Sequence, residues 1–372
     1  MAPAKGDSDL DELIARGLYD PAADDAAERL QSIRRVFELG GTTDDLIAAG
    51  GDAGALTIRL LLRKGPGRYT LAQTADRAGI SLELARRLNR AAGFPDPADD
   101  DVFFDDADIE LLRTFDAGRS VFGEQGIFPQ VRAMGAAMAR VADSFISGFA
   151  AMVATQTPGA AVDLAHLARA NDLAVGLIPG ALSAMEVLLR RHMELRRRPA
   201  FAVGSEWEGV DVLDRAIGFC DLVGYTSLAE NVSPVELASI LETFEAEAAD
   251  LITGKGASVV KLIGDEFMFV AADAATVCKV GLDLAETFEA HRLVPAVRIG
   301  VAAGEMIARE GDYFGPIVNL AARLVKLAPP GIVLAPATFA DGLAGAYAFT
   351  DAGAPTLKGF HEPVPIVRVG RI

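Results

Sequence analysis

The chain has 372 residues, too many for one ordinary domain, and the length points to two or three. With 51% apolar and 23% charged residues it has ample core, which excludes a disordered chain. Lys plus Arg number 35 against 52 Asp plus Glu, a formal net charge of −17 that argues against broad binding to nucleic acid or to an anionic membrane. A local basic site, or an anionic substrate held through metal ions, stays compatible with that balance.

The N-terminal MAPAKGDSDLDEL turns acidic at once and holds no apolar signal core. Acidic helix starts then recur (Asp9, Asp11, Glu12; Asp24, Asp25; Asp44, Asp45; Asp105, Asp106, Asp108), each followed by helical apolar spacing. AAERLQSIRRVFEL (26–39) and SLELARRLNRAAG (81–93) are amphipathic at the helix period. Two longer, more apolar helices are expected near 129–155 and 160–198. The longest uncharged window, 144–162, is interrupted by Gln156, Thr157, Pro158 and Gly159, and reads as two buried helices joined by a turn, not as a membrane span. Core packing accounts for the apolar character of these helices; a dimer core or a pocket for an apolar ligand are the alternatives. A basic cluster, Arg190, Arg191, Arg196, Arg197 and Arg198, suits a helix C-terminus, and Pro199 ends the helix.

Residues 1–198 are thus expected to form an all-α domain and 199–211 a linker, with the boundary near 205. From 212 to 372 the pattern alternates. Short apolar runs at 215–223, 258–263, 266–271, 297–303, 331–335 and 365–370 are separated by helices at 233–251, 273–290 and 314–327, the signature of an α/β or α+β domain. Residues 1–205 carry 23 basic and 29 acidic side chains, a balance of −6; the rest carry 12 and 23, a balance of −11. Cys220 and Cys278 have neither disulfide-framework nor metal-site spacing, and reduced thiols in a cytoplasm are expected.

Three elements of the second half bear chemistry. In FCDLVGYT (219–226) a strand delivers Asp221 to its end, followed by a loop with Gly224 and a helix, a junction suited to phosphate with a carboxylate beside it for Mg²⁺. In KLIGDEF (261–267) Asp265 occupies a tight turn after Gly264, with Lys261 on the preceding strand. Read alone, this is a hairpin with a charged tip; read with Asp221, it offers two carboxylates able to share two metal ions in a phosphoryl displacement. In GDYFGPIVNLAARL (311–324) Asn319 and Arg323 share a helix face, as either a solvated flank or a ligand-binding pair, and Asp312 precedes the helix as a turn, cap or site residue.

The stretch from about 213 to 371 resembles the class III nucleotidyl cyclases, with FCDLVGYT, KLIGDEFM, VRIGVAAGE and FGPIVNLAARL in that family's order and LKGFHEPVPIVRV like its closing strand. The resemblance implies a ferredoxin-like α+β catalytic domain at 212–372, working as a homodimer on ATP with two Mg²⁺ or Mn²⁺ per site. It further implies Asp221 and Asp265 as metal ligands, Lys261 and Asp312 as readers of adenine, and Asn319 for the ribose. Arg323 would serve the transition state and Arg298 the triphosphate, with the Asp pair and the Lys–Asp–Asn–Arg set coming from different chains. Lys261 supplies donors only and ionised Asp312 acceptors only, which suits the N1 and 6-amino edge of adenine and opposes guanine. Two mismatches at about 1–3 kcal/mol each predict at least roughly tenfold preference for ATP. GDEF (264–267) is also similar to the GGDEF hairpin of diguanylate cyclases, but Ile263 replaces its first Gly and NLAAR has no place there.

Residues 68–116 look like a MerR-type helix-turn-helix with a short wing. Arg59, Arg63, Lys64, Arg68, Arg77, Arg86, Arg87 and Arg90 stand against only Asp76 and Glu83, which raises a DNA-binding regulator fused to a cyclase as an alternative. The acids of DDDVFFDDAD (99–108) would oppose a phosphate backbone, so a packing module is the preferred reading and nucleic acid is not expected as a partner. The whole arrangement resembles soluble mycobacterial-type adenylyl cyclases, which implies a regulatory N-terminal domain responsive to pH. His192, among arginines and beside Glu194 before the linker, is the residue to inspect, with a solvated helix-end histidine as the plain reading and His291 and His361 as further candidates.

Overall fold

A computed structural model describes residues 11–23, 26–63, 67–156, 164–195 and 212–372. The chain divides into two compact units, Met1–Phe201 and Ala202–Ile372. The linker at 199–211 and Arg196, Arg197 and Arg198 lie outside the described residues.

The first unit is helical: α1 at 11–15, then α2 (Ala26–Glu38), α3 (Thr43–Ala48), α4 (Ala53–Arg63), α5 (Leu71–Ala78), α6 (Leu82–Ala91), α7 (Asp106–Gln156) and α8 (Leu164–Leu195). Local chemistry sets several starts. Thr42 and Thr70 close capping boxes with Asp45 and Gln73, and Ser81 caps α6. One core gathers Leu13, Ile33, Val36, Leu46, Leu56 and Leu60 from α1 to α4. Another joins α5, α6 and the start of α7 through Leu71, Leu88, Phe104, Leu112 and Phe115.

The helix expected near 129–155 is the distal part of α7, which begins at Asp106 and kinks at Gly123 (φ 67°, ψ 175°). At the described part of 144–162 the expected burial is not met, since Phe145 is 56% and Ile146 66% exposed, while 157–162 lie outside the described residues; on α8, Leu173 and Leu177 are 70% and 73% exposed. Helical periodicity pointed to helices here, though α7 starts well before 129. Burial needs a covering layer, and the described part of this stretch stays largely exposed. Among the described residues, only the helix within Asp106–Val153 is long and apolar enough to cross a membrane.

The second unit is an α+β domain. Its elements are β1 (Val212–Leu222), α9 (Tyr225–Asn231), α10 (Pro234–Gly254), β2 (Ser258–Ile263), β3 (Glu266–Ala271), α11 (Ala274–Glu289) and β4 (Val297–Arg309). They are followed by β5 (Asp312–Phe314), α12 (Pro316–Leu327), β6 (Val333–Pro336), α13 (Thr338–Leu343), β7 (Ala348–Asp351) and β8 (Ile366–Gly370). The strand order is β2-β3-β1-β4-β6-β8-β7, with β5 paired to β4. Its first four strands follow the split βαβ pattern of ferredoxin-like folds. Central β1 is buried along its second half because both its faces are covered. One core forms around Phe244, Phe269, Phe288 and Cys220, the other around Ile217, Met268, Ala321 and Leu324. Gly300 on β4 lets α12 sit against the sheet: a Cβ there would lie 2.3 Å from the Val325 nitrogen and 2.5 Å from the Ala321 oxygen. β5, β7, α9 and α13 are too short for periodicity to reveal.

Candidate active site

Three strands bring charged residues into one row. β1 runs antiparallel to both β3 and β4, and its register sets Asp221 opposite Glu266 on one side and Arg298 on the other. Asp221 is 3% exposed. Arg298 donates to its Oδ2 from Nε at 2.6 Å, with Nη2 at 2.5 Å. The ammonium of Lys326, from the last turn of α12, reaches Asp221 Oδ1 at 3.3 Å and Glu266 Oε2 at 2.5 Å. Asp265 sits in the β2–β3 turn, entered through Gly264 at φ 64°, and its carbonyl accepts from the Leu222 N–H at 3.2 Å, which ties the hairpin to the end of β1.

The row has more negative than positive groups, and its electrostatics follow. Burial raises the Asp265 carboxyl above its ordinary range; the charge of Asp221 adds to this, while its own backbone N–H, Lys326 and Arg298 oppose it. Glu266 is likewise raised, by burial first, against the hydrogen bond and charge of Lys326. Burial works against the Lys326 ammonium, but Glu266 and Asp221 outweigh it and hold its pKa above the usual lysine value. Cys220, beside the row, has its thiol held protonated by burial and then by the charges of Asp221 and Glu266.

A second pair lies on the same sheet. The β2–β3 register slips between Val259 and Lys261, a bulge that re-aims the strand. Lys261 bonds Asp312, the first residue of β5, across 51 positions of sequence. Both side chains are half-buried, and Asp312 Oδ1 also accepts from the Tyr313 N–H at 2.8 Å. A donor-only group and an acceptor-only group therefore stand side by side.

α12 carries the third set. Val318, Leu320, Ala321, Leu324 and Val325 face the sheet, while Asn319, Arg323 and Lys326 are exposed. Asn319 and Arg323 show no side-chain hydrogen bond among the described residues, so both are available to a ligand.

The structure thus joins Asp221 to Arg298 and Lys261 to Asp312, sets Asp265 beside the first pair, and leaves Asn319 and Arg323 exposed on their helix. Arg298 spends its Nε–H and one Nη2–H on Asp221, which leaves Nη1 and the second Nη2–H for any triphosphate contact. His192 is exposed in the last turn of α8, where Arg190 pairs with Glu186 at 2.8 Å. Sequence reasoning missed Glu266 and Lys326. A signal existed for both: Glu266 follows Asp265 directly, and Lys326 continues the 319–323 stripe at helical spacing.

Among the described residues no group of three or more His, Cys, Asp or Glu side chains could hold a metal ion. An all-protein cage is therefore absent there. Two carboxylates, one deeply buried and one in an adjoining turn, do fit a hard cation such as Mg²⁺, which takes one or two carboxylates and fills its remaining positions with phosphate oxygens and water.

Residues 212–366 match the model of the adenylate and guanylate cyclase catalytic domain. An adenylate cyclase of Streptomyces coelicolor is 34% identical over 307 residues, covering 79% of this chain and 76% of that protein. A pH-sensitive adenylate cyclase of Mycobacterium tuberculosis is 30% identical, covering 98% and 92%. Among solved structures, the adenylyl cyclase CyaB from P. aeruginosa aligns at 21% identity and a TM-score of 0.40, over 44% of this chain and 96% of that one.

Proposed function

The chain belongs to the class III adenylate cyclase family, and from that premise we propose that it converts ATP to 3′,5′-cyclic AMP and pyrophosphate at a homodimer interface. The observation that carries the substrate choice is the Lys261–Asp312 pair. Poised together, the two side chains offer adenine a donor for N1 and an acceptor for the 6-amino group. Guanine would set donor against donor and acceptor against acceptor, and polar groups left unpaired beneath a bound base cost about 1–3 kcal/mol each.

Class III cyclases use divalent metal ions. In this reading Asp221 and Asp265 hold two Mg²⁺ or Mn²⁺, which when bound supply positive charge at the α-phosphate and favour an ionised ribose 3′-hydroxyl. Arg298 fixes the rotamer of Asp221. From the twin chain, Asn319 orients the ribose and Arg323 meets the charge that builds on the phosphate oxygens. Loss of such a preorganised donor costs roughly 10²–10³ in rate. Asp265 and Lys261 of one chain would serve different sites, so a monomer would be inactive.

The helical unit is proposed to govern dimer geometry, with His192 as the candidate for a pH response; the pH-sensitive relative spanning nearly the whole chain supports this. The chain is read as cytoplasmic. Arg132, Arg140 and Asp143 interrupt the apolar helix α7, and ionised groups are costly within a bilayer.

The test is a product assay on the full chain with ATP or GTP and Mn²⁺ or Mg²⁺, from pH 5.5 to 8. Cyclic AMP from ATP at ten or more times the GTP rate is expected, with Asp265→Ala inactive. Equal turnover of GTP would remove the roles of Lys261 and Asp312, and cyclic di-GMP as product would overturn the reaction. A pH profile unchanged in His192→Ala would dismiss that residue as the sensor.

A further inference from the structure

Lys326 belongs to no role assigned so far, yet its ammonium lies between two carboxylates of the site. Both oxygens of Asp221 are engaged: Oδ2 by Arg298, Oδ1 by Lys326. The two cations differ in what holds them. Arg298 sits on the strand directly opposite Asp221 and contacts it through two nitrogens. Lys326 comes from a helix end on a flexible stem, is 52% exposed, and makes its shorter contact with Glu266. A cation arriving at Oδ1 would therefore displace the lysine, not the arginine.

We infer that Lys326 is a built-in competitor for divalent metal at Asp221, occupying Oδ1 in the metal-free protein and withdrawing onto Glu266 as the ion binds. This rests on the reading of Asp221 and Asp265 as metal ligands. Three carboxylates (Asp221, Asp265, Glu266) against two side-chain cations leave the metal-free row with one net negative charge; without Lys326 two would remain unbalanced. The lysine thus keeps the buried carboxylate in place without metal, at the cost of weakening the metal's own hold. Glu266 gives the displaced ammonium a place to stay within the site.

The test is direct Mn²⁺ binding to the full chain, read by the EPR signal of free Mn²⁺, with thermal unfolding in EDTA alongside. Lys326→Met and Lys326→Gln are expected to bind Mn²⁺ roughly fivefold more tightly than the parent, the size of a half-exposed ion pair. In EDTA both should unfold at lower temperature than the parent, and saturating Mn²⁺ should close that gap. The gain in affinity should survive 0.5 M KCl, where the screening length is about 4 Å. Unchanged or weaker Mn²⁺ binding would overturn the inference, as would a gain that vanishes in high salt, because the lysine would then act only through its distant field. If the parent shows no Mn²⁺ binding that Asp221→Ala removes, the metal reading itself fails and the inference falls with it.

Discussion

Asp265 shows how a candidate metal ligand opposes stability. Its carboxyl is raised by burial and by Asp221, so its ionised form is disfavoured in the folded chain relative to the unfolded one. The sign follows: a carboxyl with raised folded pKa contributes stability below its ordinary pKa, and that contribution is lost as pH rises through the raised value. Asp265→Asn should therefore unfold about 1–2 °C higher than the parent at pH 7 in EDTA, with the difference gone by about pH 3, below the ordinary carboxyl value, while activity disappears. Calorimetry at the two pH values checks it; a variant less stable at pH 7 would contradict the assigned cause. Asp221 and Asp265 were legible from sequence because a strand end and a Gly-led turn fix where such carboxylates go. The Lys326 bridge was not, since it depends on how far α12 slides along β4, and the close approach at Gly300 sets that.

At the scale of elements, the register of β1 is the organising feature. It sets Glu266, Asp221 and Arg298 in one row, a juxtaposition that alternation within single strands cannot reveal. The helices of the first unit give the opposite lesson: their existence was legible from acidic first turns and periodicity, while their exposure depended on what covers them. On α6, Arg86 pairs with Asp99 at 2.5 Å, Arg87 with Glu124 at 3.0 Å and Arg90 with Asp96 at 2.7 Å. The acids that follow the helix thus neutralise the face that would meet phosphate. Residues 68–116 should accordingly serve packing, and a mobility-shift assay of the full chain on duplex DNA at low salt should show no retarded band. A salt-sensitive shift would show that DNA phosphates outcompete these ion pairs.

The whole molecule pairs a helical unit with a catalytic unit, and the charge of −17 finds its place in that division. The excess acid lies largely in the catalytic half, where the substrate would be held by placed cations and carboxylate-bound metal instead of a broad positive field. The central claim is that each active site draws on two chains, with Asp221 supplied by one and Arg323 by the other. Mixing full-length Asp221→Ala and Arg323→Ala chains, each inactive alone, tests it most directly. Random pairing makes half of the dimers mixed, each with one intact site, so cyclic AMP production should recover to about a quarter of the parent rate. No recovery in verified mixed dimers, or substantial activity in either variant alone, would contradict the shared site.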